Sequence, residues 1–306
     1  MKQNMLVSII LCTRNRKEML RRICNSIAPQ TYSNYELIVV DSSDTNKTTK
    51  SDLEEIFGDN QAINIIYSEP GLTIQRNIGL KAVTGDWFIF FDDDMILEDD
   101  FLFEMNKVFE ENKDYYGGMG AFSNIKEQTF KNKIYNSFLR FFMLRSSYGD
   151  GKFRKSGFPN FPFGRKVFME TEVLGGAMMA YRKEIINEFD FDEHFSNYSY
   201  MEDVDFSRRV SQKYKLFYNP KARAEHRHAV GGRGNYFENR RMYMYNHRYL
   251  FEKNFPQNTS NKLAHQWSIL GLYIYALYNL NKNALIAIKA YNKGLKDYRK
   301  AELDRD

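Results

Sequence analysis

Apolar residues run nearly unbroken through short stretches of the first third of the chain, at 6–11, 37–40, 63–67 and 87–91. Between them they recur every three or four positions instead. Met19, Leu20, Ile23 and Ile27 follow that spacing over 17–27, which Pro29 closes, and 51–57, 72–83 and 101–110 read the same way. Continuous apolar strands separated by helical segments predict a parallel sheet covered on both faces. The alternation fails over 126–172, a stretch rich in Phe, Gly, Lys and Arg that reads as an insertion or mobile loop. A strand at 177–181 follows Gly175-Gly176, a helix is expected over 202–210 and a strand over 216–218. After Gly231-Gly232 the pattern is helical, including the apolar stretch 267–280. The organisation expected is one α/β domain over 1–230 and a helical extension over 231–306.

Polar residues gather just after three of the predicted strands: Thr13, Arg14 and Asn15, then Asp41 through Asp44, then Asp92, Asp93 and Asp94. In open α/β sheets the carboxyl edge of the strands is where ligands bind. Three strands delivering polar groups to one rim therefore predict a site as well as a fold.

Composition narrows the class without naming a reaction. The 306 residues are 43% hydrophobic and 27% charged with six prolines, which suits a folded protein. Aromatics reach 16%, nearly all Tyr and Phe, and serve equally to stack on sugars and bases or to fill a core. A net charge of +5 with no tight Lys/Arg run argues against nucleic acid and suits contact with anionic lipid or a phosphorylated ligand. Cys12 and Cys24 read as buried thiols of a reducing compartment. The first residues lead straight into a strand with no leader pattern, and no run of about 20 apolar residues occurs, so a cytoplasmic chain without a spanning helix is expected.

Two acidic groups and one basic one carry the candidate chemistry. Carboxylates two positions apart at a strand end can share one hard cation, Mg²⁺ or Mn²⁺, and the cation can bridge to phosphate. The same triplet also suits a solvated turn, although Asp99 and Asp100 are better placed to cap the helix that follows. Glu202-Asp203 opens a helix, where negative charge is favoured by the dipole, and could equally supply a general base. Asp205, two residues on, is expected to point elsewhere. Arg76, in Gln75-Arg76-Asn77-Ile78-Gly79, could neutralise phosphate or lie exposed on its helix. His226 and His228 flank Arg227, and His226 is a candidate for the metal or a diphosphate. No zinc spacing, phosphate-binding loop or dinucleotide fingerprint occurs, which counts against ATPase and dehydrogenase readings.

In this order the pieces resemble glycosyltransferase family 2, enzymes of the GT-A fold. They are Val7-Ser8-Ile9-Ile10-Leu11-Cys12-Thr13-Arg14-Asn15-Arg16, Glu36-Leu37-Ile38-Val39-Val40-Asp41-Ser42-Ser43-Asp44, Arg76-Asn77-Ile78-Gly79-Leu80, Phe91-Asp92-Asp93-Asp94 and Glu202-Asp203-Val204-Asp205-Phe206. The resemblance implies a Rossmann-like, mostly parallel sheet flanked by helices and an inverting, metal-dependent transfer from a nucleotide sugar, UDP-linked by default. It implies nucleotide contacts at Thr13, Arg14, Asp41, Arg76, Asp92 and Asp93, with Asp92 toward the ribose and Asp94 on Mn²⁺ or Mg²⁺. It implies Asp203 as base and Gly175, Gly176 and Glu202 on the acceptor side. Asp93 fills the family's variable position, which leaves open which two of the three aspartates hold the cation.

The expected acceptor is a saccharide or lipid-linked saccharide hydroxyl in surface-polysaccharide synthesis. Residues 138–145 and 267–277 mix aromatic, aliphatic and basic character as interfacial helices do, and suit a buried or subunit-covering helix as well. Two rival readings remain open: a sugar-phosphate nucleotidyltransferase, against which the lack of glycine in Thr13-Arg14-Asn15-Arg16 speaks, and a non-catalytic nucleotide-sugar-binding relative.

Overall fold

A computed structural model of the chain describes residues 4–59, 61–125, 130–195, 200–227, 235–278 and 283–303. Expectations that rest on Lys126, His228 and Gly231-Gly232 lie outside the described residues. The chain divides into two compact units, one of Met1–Lys126 and Pro162–Val230, the other of Glu127–Phe161 and Gly231–Asp306.

The first unit is built on a single sheet. Strands β1 (Val7–Thr13), β2 (Tyr35–Asp41), β3 (Ile63–Tyr67) and β4 (Trp87–Asp92) lie parallel in the order β3-β2-β1-β4. Helices α1 (Lys17–Ile27), α2 (Lys50–Phe57) and α3 (Leu72–Lys81) make the crossovers that parallel pairing requires. Val7, Ile9, Leu37, Val39, Trp87 and Ile89 are fully buried, as their unbroken apolar runs predict. Thr49 caps α2, accepting from the Asp52 N–H while the Asp52 carboxylate accepts from the Thr49 N–H.

Beyond β4 the sheet becomes mixed. Strand β8 (Met178–Arg182) runs antiparallel to β4, β6 (Tyr115–Phe122) antiparallel to β8, and β9 (Lys215–His226) parallel to β6. The short strands β5 (Met95–Leu97) and β7 (Met169–Thr171) both pair antiparallel with β9. Helices α4 (Phe101–Glu111) and α6 (Glu202–Ser211) complete the unit.

Two local expectations change. Asp100 stands at the N-cap of α4 but makes no side-chain cap bond; the Leu102 N–H is met instead by Gln30 Oε1 at 2.9 Å. The strand expected at 216–218 continues to His226 as β9. The register shift against β6 falls at Asn219-Pro220, where Asn219 donates to the Glu104 carbonyl at 3.0 Å.

The second unit joins α5 (Phe130–Phe141), from the stretch read as an insertion or loop, to α7 (Tyr236–Asn254), α8 (Thr259–Tyr278) and α9 (Ala284–Leu303). Helices α7 and α9 are tied by Arg241 to Asp297 at 2.8 Å and Tyr298 to Glu252 at 2.5 Å. Among the described residues, no helix is long and apolar enough to cross a membrane.

Candidate functional site

The loops that leave β1 and β2 are locked to each other. Asn15 adopts a left-handed backbone (φ 55°), which lets it face the neighbouring loop. Its N–H donates to Ser43 Oγ at 2.8 Å, its side-chain amide to Asp44 at 2.8 Å, and the Asp44 N–H returns to Asn15 Oδ1 at 3.0 Å. Arg14 is exposed and pairs with Asp44 at 3.3 Å. Asp41 is buried, and its two carboxylate oxygens accept from the N–H groups of Ser43 and Thr48 at 2.8 and 2.7 Å. Burial alone would raise its pKa, but these hydrogen bonds hold it below the usual carboxylate value. Gln75, on α3, donates to the carbonyls of both Thr13 and Val40 and so ties the two strand ends from beneath.

The three aspartates divide in two directions. Asp93 turns back to the first strand, accepting from Thr13 Oγ1 at 3.0 Å and pairing with Arg16 at 3.1 Å. Asp92 and Asp94 instead share a cluster with His226, their ligand atoms all within 4.8 Å of one another. Asp94 Oδ1 lies 3.0 Å from His226 Nε2. The register of β5 against β9 sets Met95 opposite His226, which explains how a residue so distant in sequence arrives beside Asp94. The His226 backbone is held on both sides by the Asn124 amide, and its ring stacks on Phe122. Desolvation pushes the Asp92 carboxyl up to about 6, with Arg76 opposing and Asp94 adding to the rise.

Arg76 is neither exposed nor turned to solvent. Only 2% accessible, it lies over the rings of Phe90 and Phe191 and pairs with Glu202 at 2.7 Å. Its other nitrogen reaches the Gly176 carbonyl at 3.0 Å and Asp92 at 3.5 Å. Burial would lower its pKa, but the Glu202 and Asp92 carboxylates raise it, so the guanidinium stays charged. Burial also pushes the Glu202 carboxyl up, to about 8, with Asp203 reinforcing and Arg76 opposing.

Gly176 joins this strut to Asp203. While its carbonyl accepts from Arg76, its N–H donates to Asp203 Oδ2 at 2.7 Å, and the Val204 N–H holds Oδ1 at 2.9 Å. A Cβ at Gly176 would come within 3.2 Å of Asp203 and 3.3 Å of Arg76, so any larger side chain would press on both. Gly175 packs against Phe163. Asp205 points away from this group and pairs with Arg209 at 2.9 Å.

Chemically, two hard oxygens and one imidazole nitrogen form a donor set that fits a divalent cation. The half-buried Asp203 carboxylate, fixed by two backbone N–H groups, is linked to Asp92 through Gly176 and Arg76. Sequence reasoning missed Arg16, Gln75 and Phe191 as parts of this arrangement. Arg16 stands inside the first motif, but nothing in its spacing reveals that it meets Asp93.

The family model described as "Glycosyl transferase family 2" matches residues 8–189. A Haemophilus influenzae protein described as an uncharacterized glycosyltransferase is 38% identical over 93 residues, 30% of this chain, and the chain spans only 28% of that relative's length. Among solved structures, a mannosyltransferase of Pyrobaculum calidifontis in complex with GDP-Man and Mn²⁺ aligns over 97% of this chain and 82% of its own, with a TM-score of 0.55 and 16% identity. Staphylococcus aureus TarS 1-349 in complex with UDP-GlcNAc aligns over 95% of this chain and 81% of its own, with a TM-score of 0.57 and 15% identity. At such identities the two structures share the fold alone, whereas the family model covers more than half of the chain. The chain belongs to glycosyl transferase family 2.

Proposed function

We propose that the chain transfers a sugar from a nucleoside-diphosphate sugar to an acceptor hydroxyl with inversion at the anomeric carbon, UDP-linked sugars being the favoured donors. The observation that carries this reading is the Arg76–Gly176 strut, which sets Asp203 next to the Asp92 end of the aspartate cluster. Asp203 takes the acceptor proton as the hydroxyl attacks from the face opposite the leaving diphosphate. The Gly176 and Val204 N–H groups fix the carboxylate's direction, so the base is oriented before the acceptor arrives.

Asp92, Asp94 and His226 would hold the divalent cation. When bound, it supplies positive charge for the departing nucleoside diphosphate. Thr13, Arg14 and Asp41 line the nucleotide side, with Asp93 bracing Thr13 from behind. The related folds carry either GDP-Man or UDP-GlcNAc, which supports a nucleotide sugar and leaves the base to experiment. The acceptor side comprises Gly175, Gly176 and Glu202, and the acceptor is a saccharide or lipid-linked saccharide of surface-polysaccharide synthesis. A lipid-linked acceptor would bring a cytoplasmic enzyme to the inner face of the cell membrane.

The test pairs Asp203→Asn with a panel of sugar nucleotides in Mn²⁺. Binding, read by thermal shift, should survive the change, while release of nucleoside diphosphate in the presence of acceptor falls by at least about a hundredfold. Undiminished turnover would remove Asp203 from the role of base, and pyrophosphate release from a nucleoside triphosphate would replace the reading with nucleotidyl transfer.

A further inference from the structure

Within the second unit, α8 carries two apolar faces rather than one. Ala264, Ser268, Ile269, Leu272 and Ala276 are buried. On the other side Leu263, Trp267, Leu270, Ile274 and Leu277 are exposed at alternating spacings of four and three residues, which aligns them in one stripe along the helix. Helix α5 lies beside it: Tyr135 meets Tyr275 at 5.8 Å and Phe141 meets Trp267 at 5.3 Å, so the two helices run antiparallel. Trp267 Nε1 donates to the Phe141 carbonyl at 2.8 Å and fixes the pairing. Helix α5 adds exposed Ile134 and Phe141 to the apolar surface.

The charges on these helices have one sign. Neither α5 nor α8 contains an Asp or Glu, in a chain with 39 of them. Lys133, Arg140 and Lys262 are all exposed. A twofold dimer formed through this face would bring the same three cations of both copies into one interface, where like charges repel. An anionic lipid surface meets both features, since acyl chains accept the aliphatic and aromatic stripe and headgroups accept the cations.

We propose that the α5–α8 face is a docking surface for an anionic membrane, with both helices lying in the plane of the interface. The surface would serve the lipid-linked acceptor named above, yet its test uses no sugar transfer, so either reading can fail alone. The experiment is flotation of the full chain with vesicles of phosphatidylcholine, alone or mixed with phosphatidylglycerol. The wild type should float with the mixed vesicles and bind pure phosphatidylcholine at least about tenfold more weakly.

The triple variant Lys133→Gln, Arg140→Gln and Lys262→Gln, which leaves the apolar stripe untouched, should lose binding on the order of a hundredfold. The double variant Leu270→Gln and Ile274→Gln should lose it without altering the helical circular dichroism. Failure of the wild type to float with anionic vesicles would overturn the proposal, as would undiminished binding by the triple variant. A concentration-dependent dimer in sedimentation, dissociated by the double variant, would make the face a seam between copies and overturn it equally.

Discussion

Arg76 reaches three groups that the sequence keeps far apart, and only a planar, forked cation can meet Glu202 and the Gly176 carbonyl at once. Arg76→Ala removes the hydrogen-bond partner of the buried Glu202 carboxyl, so unfolding in urea should show a loss of about 1–3 kcal/mol. Arg76→Lys keeps the charge but not the fork and should fall between the two. His226 tests the metal cluster. His226→Ala should weaken Mn²⁺ binding by at least about tenfold in calorimetry, while the fold remains intact. The aspartate triplet stood out in the sequence because it follows an apolar strand, and Glu202-Asp203 because two acidic residues open a helix. The part played by Arg76 was not, since it depends on Glu202, 126 positions away, and on a backbone carbonyl that no motif records.

At the scale of elements, legibility followed the chemistry of each strand. The parallel strands β1 to β4 announced themselves because burial on both faces demands unbroken apolar runs. Strand β6 did not, because Gly117, Gly118 and Gly120 dilute its pattern. Those glycines have a packing reason. A Cβ at Gly118 would lie 2.4–2.5 Å from the ring carbons of Phe217, which is fully buried and held by the rings of Phe109, Tyr115 and Phe168. Gly118→Ala should therefore destabilise the first unit by about 1–3 kcal/mol, read as a lower urea midpoint with unchanged slope. Strands β5 and β7, three residues each, are too short to show any period. Helix α5 was read only at its C-terminal end, within the stretch 138–145 that mixes aromatic, aliphatic and basic residues.

For the molecule as a whole, the charged rim lies in the first unit and a different sensitivity in the second. His247 and His265 stack at 4.8 Å in the helical core, between the rings of Phe158 and Phe251. His265 Nδ1 lies 3.1 Å from the Ser156 carbonyl, while its Nε2 is buried without a hydrogen-bond partner among the described residues. Burial lowers the pKa of both, His247 well below its ordinary value and His265 to about 4, with Arg248 adding to the depression and Glu252 opposing it at His265. The folded form thus binds fewer protons than the unfolded one. Stability from this pair is complete above about pH 6.5 and is lost as pH falls from there toward 4. The loss from His265 alone should be on the order of 3 kcal/mol. Thermal melts between those limits should show it, and His265→Phe should remove that share of the drop while leaving the share due to His247.

The order of the strands has a consequence for how the protein is made. Strand β8 inserts between β4 and β6, and β9 supplies both the far side of the sheet and His226. A ribosome releases β1 to β4 first, so a nascent chain can form the rim with Asp92 and Asp94 long before Asp203 or His226 has been synthesised. Until translation passes β9, β6 lacks one of its neighbours and its aromatic clusters have no cover. Such exposed edges and apolar surface are what chaperones recognise. Translation halted between β4 and α6 would leave a chain that carries Asp92 and Asp94 but lacks Asp203, the base proposed above.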